Sequence, residues 1–251
     1  MRHHNQASPK YLLFVKDFIE SLETAGKKVF PGHFSSLHFD NKLSQKYLHE
    51  ATGFHHVTTY AFFIMAEAIR WAEIATFPKV FKLRRVDGSR NVWLASSNDE
   101  AVKLIKKAFG RSFRQYDAWG GIKQSIRKMK LGKVGFKNLV TAVVYIIYPI
   151  QLERSQGRER GYVYFQDFIP DNKFEIRVIV IGDKAFAIKR HVRNNDFCAS
   201  GSGIIEYKKE LFDDSLVDLS FKNATALNAE CAAYDYVFLK GKPLVVEQLW
   251  I

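Results

Sequence analysis

The chain has 251 residues, 47% of them hydrophobic, two cysteines and a formal charge of +12. That content supports one large domain or two small ones around a real core and excludes a mainly disordered chain. Two cysteines exclude a disulfide framework, the N-terminal MRHHNQASPK lacks the apolar centre of a leader peptide, and the longest apolar run is too short to cross a bilayer.

A reducing, cytoplasmic setting with no membrane span is therefore expected. The positive charge fits an anionic partner: nucleic acid, a membrane surface or a phosphorylated ligand. The basic runs KLRR, RKMKLGK and ERSQGRER equally fit solvated helix faces or loops.

In chain order, residues 10 to 25 place Leu12, Leu13, Val15, Phe18, Ile19 and Leu22 in one apolar stripe and predict an amphipathic helix stopped by Gly26. A second helix is expected after Asp40 as its N-cap, with Leu43, Tyr47, Leu48 and Ala51 on one side. A third covers about Met65 to Ile74. After Pro78, the runs KVFKLR and NVWLA around the polar turn VDGS read as a hairpin. The segment SNDEAVKLIKKAFG opens with Ser97 and Glu100 as a capping box and closes on Gly110, which predicts a helix.

Residues 111 to 160 are basic and broken by glycines, with helices expected in SIRKMK and in FKNLVTAVVYII, the latter buried. From Tyr162 the pattern turns to strands: YVYFQDFI, FEIRVIVIGDKAFAIKR, a helix near residues 221 to 232, then YDYVFL and PLVVEQLW. Helices and short hairpins first, antiparallel strands later, predict an α+β architecture with two subdomains sharing a cleft.

Two strand pairs carry the charges that matter. A two-residue turn at Gly182-Asp183 pairs Ile181 with Lys184, Ile179 with Phe186, Arg177 with Ile188 and Glu175 with Arg190. Opposed residues share a face, so Glu175, Arg177 and Arg190 cluster on one side while Phe174, Ile176, Val178, Val180, Ala185 and Ala187 cover the other. The plain alternative is a surface ion pair. In the last pair, a three-residue connection at Lys240 to Lys242 sets Asp235 opposite Glu247 on one face, whereas an even-numbered loop separates them. Two carboxylates in apolar strands need a cation, and hard oxygens of this kind suit Mg²⁺; two strand-end acids facing solvent are the alternative.

The series FDNKLSQKYL, FPKVFKLRRVDGSRNV, VYFQDFIP, FEIRVIVIGDKAFAIKR, NDFCASGSG and YDYVFLKGKPLVVE, in that order, resembles the ATP-grasp superfamily over about residues 36 to 247, nearest to domain proteins of the ribosomal-protein glutamate ligase type. The resemblance implies ATP held between two α+β subdomains, residues 36–164 and 165–251, with residues 1–35 a docking helix or the remnant of a preceding domain. It implies phosphate contacts from Lys42 and Lys82 and a covering loop at Gly88 and Ser89, while Gln166, Asp167, Phe168 and Ile169 form the hinge that reads adenine. Glu175 falls near the ribose or phosphates, and Lys189 is carried with the nucleotide-binding residues. Arg177 and Arg190 meet the γ-phosphate and an incoming carboxylate, Asp235 and Glu247 bind magnesium, and Arg193 and Asn195 line the acceptor site.

The activity so implied is an ATP-dependent ligase joining a carboxylate to an amine or thiol through an acylphosphate, and the alternative is a nucleotide-binding protein that kept the fold and lost the chemistry. Three departures bear on that choice. Leu249 stands where the superfamily has a third metal ligand, Arg85, Val86 and Asp87 replace loop glycines, and Cys198 stands in place of an arginine. With its apolar end and short front portion, the chain reads as a fragment or a divergent relative. Nucleic-acid binding needs aromatics interleaved on an exposed basic face, and Tyr162, Tyr164 and Phe165 lie instead in a strand that reads as core, so none is expected.

Overall fold

The computed structural model describes residues 9–38, 41–85, 91–114, 157–192, 199 and 204–250. Helices α1 (Pro9–Thr24), α2 (His33–His38) and α3 (Lys42–Thr52) come first, followed by β1 (Thr59–Phe62), α4 (Met65–Ile74), β2 (Lys79–Lys82), β3 (Val92–Ala95), α5 (Asn98–Phe109) and β4 (Phe113–Arg114). Then come β5 (Arg158–Glu159), β6 (Val163–Asp167), β7 (Phe174–Ile181), β8 (Lys184–His191), β9 (Ile205–Glu206), α6 (Asp214–Ala226), β10 (Cys231–Leu239) and β11 (Lys242–Trp250). The helices expected in SIRKMK and FKNLVTAVVYII lie outside the described residues, as does Asp40.

Local chemistry accounts for the helix ends. Asn41 caps α3, its side chain accepting from the Ser44 N–H at 3.3 Å, and Gly53 closes that helix at φ 70°. In α5, Ser97 accepts from the Glu100 N–H while the Glu100 carboxylate reaches back to the Ser96 N–H. Near the chain's end α6 runs over 214–226, not 221–232, because Asp213 caps it by accepting from the Ser215 N–H at 2.9 Å, ahead of the apolar pattern.

Two sheets organise the rest. The first has strand order β1-β6-β2-β3, the second β11-β10-β7-β8-β9, and every pairing between these strands is antiparallel. One face of the first sheet packs Phe81, Leu83, Val163 and Phe165 against α4 and α5 through Ala68, Ala72 and Ile105. One face of the second packs Ile176, Val178, Val180, Tyr234 and Tyr236 against Leu216 and Leu227 of the α6 region. Each of those side chains is buried, and burying an aliphatic or aromatic side chain of this size contributes about 1.5–3 kcal/mol.

Among the described residues, two chain segments join the sheets. Residues 168–173 lead from β6 to β7. Residues 55–57 run parallel to Val245 of β11, with the Val57 N–H donating to the Val245 carbonyl at 3.0 Å and the Val245 N–H to the His55 carbonyl at 2.9 Å, before the chain enters β1.

Candidate functional site

The β7–β8 register is the one the turn at 182–183 dictates: Ile181 faces Lys184, Arg177 faces Ile188 and Glu175 faces Arg190. With Ile176, Val178 and Val180 turned to the core, Glu175, Arg177 and Arg190 share the opposite face, and β10 adds Asp235 to it, directly across from Arg177.

The expected three-residue connection between β10 and β11 is corrected. The turn has two residues, Lys240 at φ 51° and Gly241 at φ 79°, so Leu239 pairs with Lys242 and Tyr236 with Val245. That even-numbered turn by itself sends Glu247 to the other face. A bulge between Asp235 and Tyr236 makes the correction: Val246 is the extra residue, and Glu247 comes back opposite Asp235. The two acids meet as expected, by a different route.

Cations surround both acids. The Arg177 guanidinium donates to both Asp235 oxygens, Nε at 2.6 Å and Nη2 at 2.8 Å. Arg190 Nη2 lies 2.7 Å from Asp235 Oδ2 and 2.5 Å from Glu175 Oε1, as an ion pair whose N–H groups do not align into hydrogen bonds. Lys42, at the start of α3, reaches Glu247 at 2.5 Å. Burial works to raise the Asp235 carboxyl, but the Arg177 bonds and the charges of Arg177 and Arg190 outweigh it and hold the group below its ordinary value. Burial likewise pushes Glu175 well above its ordinary value, Asp235 adds to the push, and Arg190 offsets only part of it.

The first sheet contributes its inner face. Lys82 Nζ donates to Gln166 Oε1 at 2.6 Å, and the Gln166 amide donates to the Val246 carbonyl at 3.3 Å, one residue from Glu247. Polar contacts thus run from Lys82 through Gln166 to β11, and from Arg177 through Asp235 and Arg190 to Glu175, with the Lys42–Glu247 pair opposite Asp235 in the register. A small crevice beside these contacts is lined by Lys42, Gln166, Val246 and Glu247 together with His49 and Tyr164.

Other expected residues lie elsewhere. Lys189 pairs with Ile176, on the opposite face of the sheet from Arg190, with its ammonium over the Phe174 ring at 4.1 Å; strand alternation keeps it out of the cluster. The Asp167 side chain also turns away from Gln166, forming a 2.5 Å ion pair with Lys79, while its N–H donates to the Thr58 carbonyl. Phe168 and Ile169 are half-buried at the connection between the sheets. Gly88, Ser89, Arg193, Asn195 and Cys198 lie outside the described residues.

Several contributors have faint sequence signals or none. His49, seven residues after Lys42 and so on the same side of α3, bonds Gln248 at 2.6 Å and is pushed down to about 4 by burial, which the Gln248 bond only partly offsets. Asn172 clamps the connection onto β10, donating to the Phe238 carbonyl at 3.0 Å and accepting its N–H at 2.7 Å. Tyr162 donates to buried Glu159 at 2.8 Å and accepts the Arg84 N–H at 2.7 Å, steadying the end of the strand that carries Lys82.

The donor set suits magnesium in part. Asp235 and Glu247 are hard carboxylates on neighbouring strands facing one way, and Mg²⁺ is held by one or two such groups while keeping waters and phosphate oxygens. Leu249 lies opposite Ala233 and donates nothing, and no group of three or more His, Cys, Asp and Glu able to hold a metal occurs among the described residues.

No protein-family model matches this sequence, and neither does any curated protein. Solved structures do. A RimK domain ATP-grasp protein from Sphaerobacter thermophilus is 17% identical, with 93% of this chain and 67% of that one covered and a TM-score of 0.54. The D-alanine–D-alanine ligase of Bacillus anthracis is 15% identical, with coverage of 92% and 64% and a TM-score of 0.52. The biotin carboxylase domain of the Hydrogenobacter thermophilus 2-oxoglutarate carboxylase, in complex with MgADP, ADP and bicarbonate, is 15% identical, with coverage of 94% and 45% and a TM-score of 0.54. The chain thus spans between 45% and 67% of the length of these three structures. Two antiparallel sheets with helices on their outer faces, joined beside a cluster of cations and acids, make this an α+β chain with the ATP-grasp fold.

Proposed function

We propose that this chain binds ATP between its two sheets and acts as an ATP-dependent ligase, joining a carboxylate to an amine or thiol through an acylphosphate. The observation that carries this reading is the meeting of Lys42, Arg177 and Arg190 with Glu175, Asp235 and Glu247, with Lys82 joined through Gln166 to the Val246 carbonyl beside them. Residues 36–164 and 165–251 are the two halves that close on the nucleotide.

The roles follow from charge and reach. A triphosphate carries roughly four negative charges, and catalysis of phosphoryl transfer rests on cations held in place by rigid elements. Lys42 and Lys82 grip the phosphates from α3 and β2, while Arg177 and Arg190, on neighbouring strands, meet the γ-phosphate and the carboxylate that takes it. Gln166 steadies Lys82. The backbone of Gln166, Asp167, Phe168 and Ile169 is assigned to reading the adenine, and Gly88 and Ser89, outside the described residues, to covering the phosphates. Asp235 and Glu247 are the pair that would hold Mg²⁺, which when bound neutralises charge on the phosphoryl oxygens. In the group transfer the carboxylate oxygen bonds to the γ-phosphorus, ADP leaves, and the nucleophile then displaces phosphate.

A second reading, nucleotide binding without catalysis, draws on Leu249 in place of the third metal ligand. Thermal unfolding separates the two. Stabilisation by ATP with Mg²⁺ well above that by ATP alone, reaching about 2.7 kcal/mol at a hundredfold excess over Kd and lost in Lys82→Ala, is the result the ligase reading expects. Equal shifts with and without Mg²⁺ point to the second reading, and no shift with either overturns both.

A further inference from the structure

Every acid assigned above to the cation is held by a side chain assigned to anions. Two N–H donors of Arg177 and the charge of Arg190 converge on the two oxygens of Asp235, a residue only 2% exposed, and Lys42 takes Glu247. Arg190 Nη2 touches both Glu175 Oε1, at 2.5 Å, and Asp235 Oδ2, at 2.7 Å, so these oxygens are at most about 5.2 Å apart with a positive charge between them. That is the position a cation takes between two carboxylates. A divalent ion placed on Asp235 repels both guanidinium groups at close range, and a guanidinium stays charged at any pH the protein survives, so each must then find another anion.

The contacts are suited to release. Those of Arg190 lack hydrogen-bond alignment, and its Nε has no hydrogen-bond partner among the described residues. The Arg177 side chain is 23% exposed, against 3% for that of Asp235, so solvent reaches it.

We propose that Arg177 and Arg190 are placeholders for a divalent cation at Asp235, so that metal entry and release of the two guanidinium groups to a phosphate or carboxylate are a single exchange. The inference rests on the reading of Asp235 and Glu247 as the metal-holding pair and adds its regulation: neither partner binds well alone. Metal without an anion leaves the arginines without counter-charge, and an anion without metal leaves Asp235 buried and ionised with no partner. By linkage the coupling is reciprocal, so whatever draws the arginines away raises metal affinity.

Mn²⁺ alone, with free ion followed by electron paramagnetic resonance, tests this without nucleotide or turnover. Arg177→Gln and Arg190→Gln each leave the other arginine on Asp235, and each is expected to bind Mn²⁺ about tenfold more tightly than the wild type. Lys189→Gln removes a cation from the opposite face of the same sheet and is expected to leave Mn²⁺ binding unchanged. In the wild type, millimolar sulfate, which occupies arginines, is expected to raise Mn²⁺ affinity about threefold over chloride at equal ionic strength; this arm decides the matter if the arginine variants do not fold. Arginine variants that bind Mn²⁺ no better than the wild type, an equal gain in Lys189→Gln, or a sulfate effect no larger than that of chloride overturns the exchange. Wild-type protein that fails to bind Mn²⁺ even with ATP present overturns instead the assignment of the acids.

Discussion

At the scale of single residues, the site is a set of groups that would each be costly alone. Asp235 is buried, and an ionised carboxylate in that position stands only because two N–H donors of Arg177 and the charge of Arg190 surround it. His49 shows the opposite solution: burial holds it neutral, pushed down to about 4, with Gln248 bonded to its ring. The sign of its effect follows directly. A histidine whose folded value lies below its unfolded one adds stability that is complete above about pH 6.5 and is lost as pH falls toward 4, a loss on the order of 3 kcal/mol. Glu175, pushed up, contributes with the opposite slope, so the test is a difference: urea unfolding from pH 7 to 4.5 is expected to fall more steeply in the wild type than in His49→Gln, and parallel slopes would show that His49 is not the buried neutral group.

At the scale of elements, the β10–β11 pair depends on two irregularities that offset each other. The tight turn puts Lys240 and Gly241 in left-handed backbone, and the bulge at Val246 restores the register that the turn shifts. Nothing lies within 4 Å of a Cβ built on Gly241, so the penalty for Gly241→Ala is backbone strain alone, about 1–2 kcal/mol in denaturant unfolding; a variant as stable as the wild type would mean the turn can take another form. These particulars also show what the sequence discloses. The β7–β8 register is legible because a Gly-Asp turn between alternating apolar runs leaves a single pairing. A bulge is not, since no residue type marks Val246, and counting from the turn alone gave the right opposition of Asp235 and Glu247 through the wrong loop length. Lys189 was misplaced because nearness in sequence to Arg190 hides the strand's alternation. The beginning of α6 was missed because the helix was expected only near residues 221 to 232, whereas Asp213 caps it ahead of that stretch.

At the scale of the whole molecule, the two sheets meet through few connections, and the position of Lys42 depends on one of them. Phe54, following α3, is 7% exposed and enters the core of the second sheet, its ring 6.2 Å from Tyr234 and 5.1 Å from His49. Phe54→Ala is expected to cost about 3–5 kcal/mol and, because it loosens α3 from that sheet, to weaken ATP binding at temperatures where the variant remains folded. Isothermal titration beside a denaturation curve would check both, and lost stability with intact ATP affinity would separate α3 from the site.

The Val246 bulge has a mechanical consequence. An extra residue turns one carbonyl out of its ladder, and that carbonyl takes the Gln166 amide whose other end holds Lys82. An anion that drew Lys82 off Gln166 would free this amide to rotate, so a change at Lys82 would reach β11 through a backbone oxygen placed a single peptide before Glu247. The stitch that corrects the register is also a thread between the two sheets.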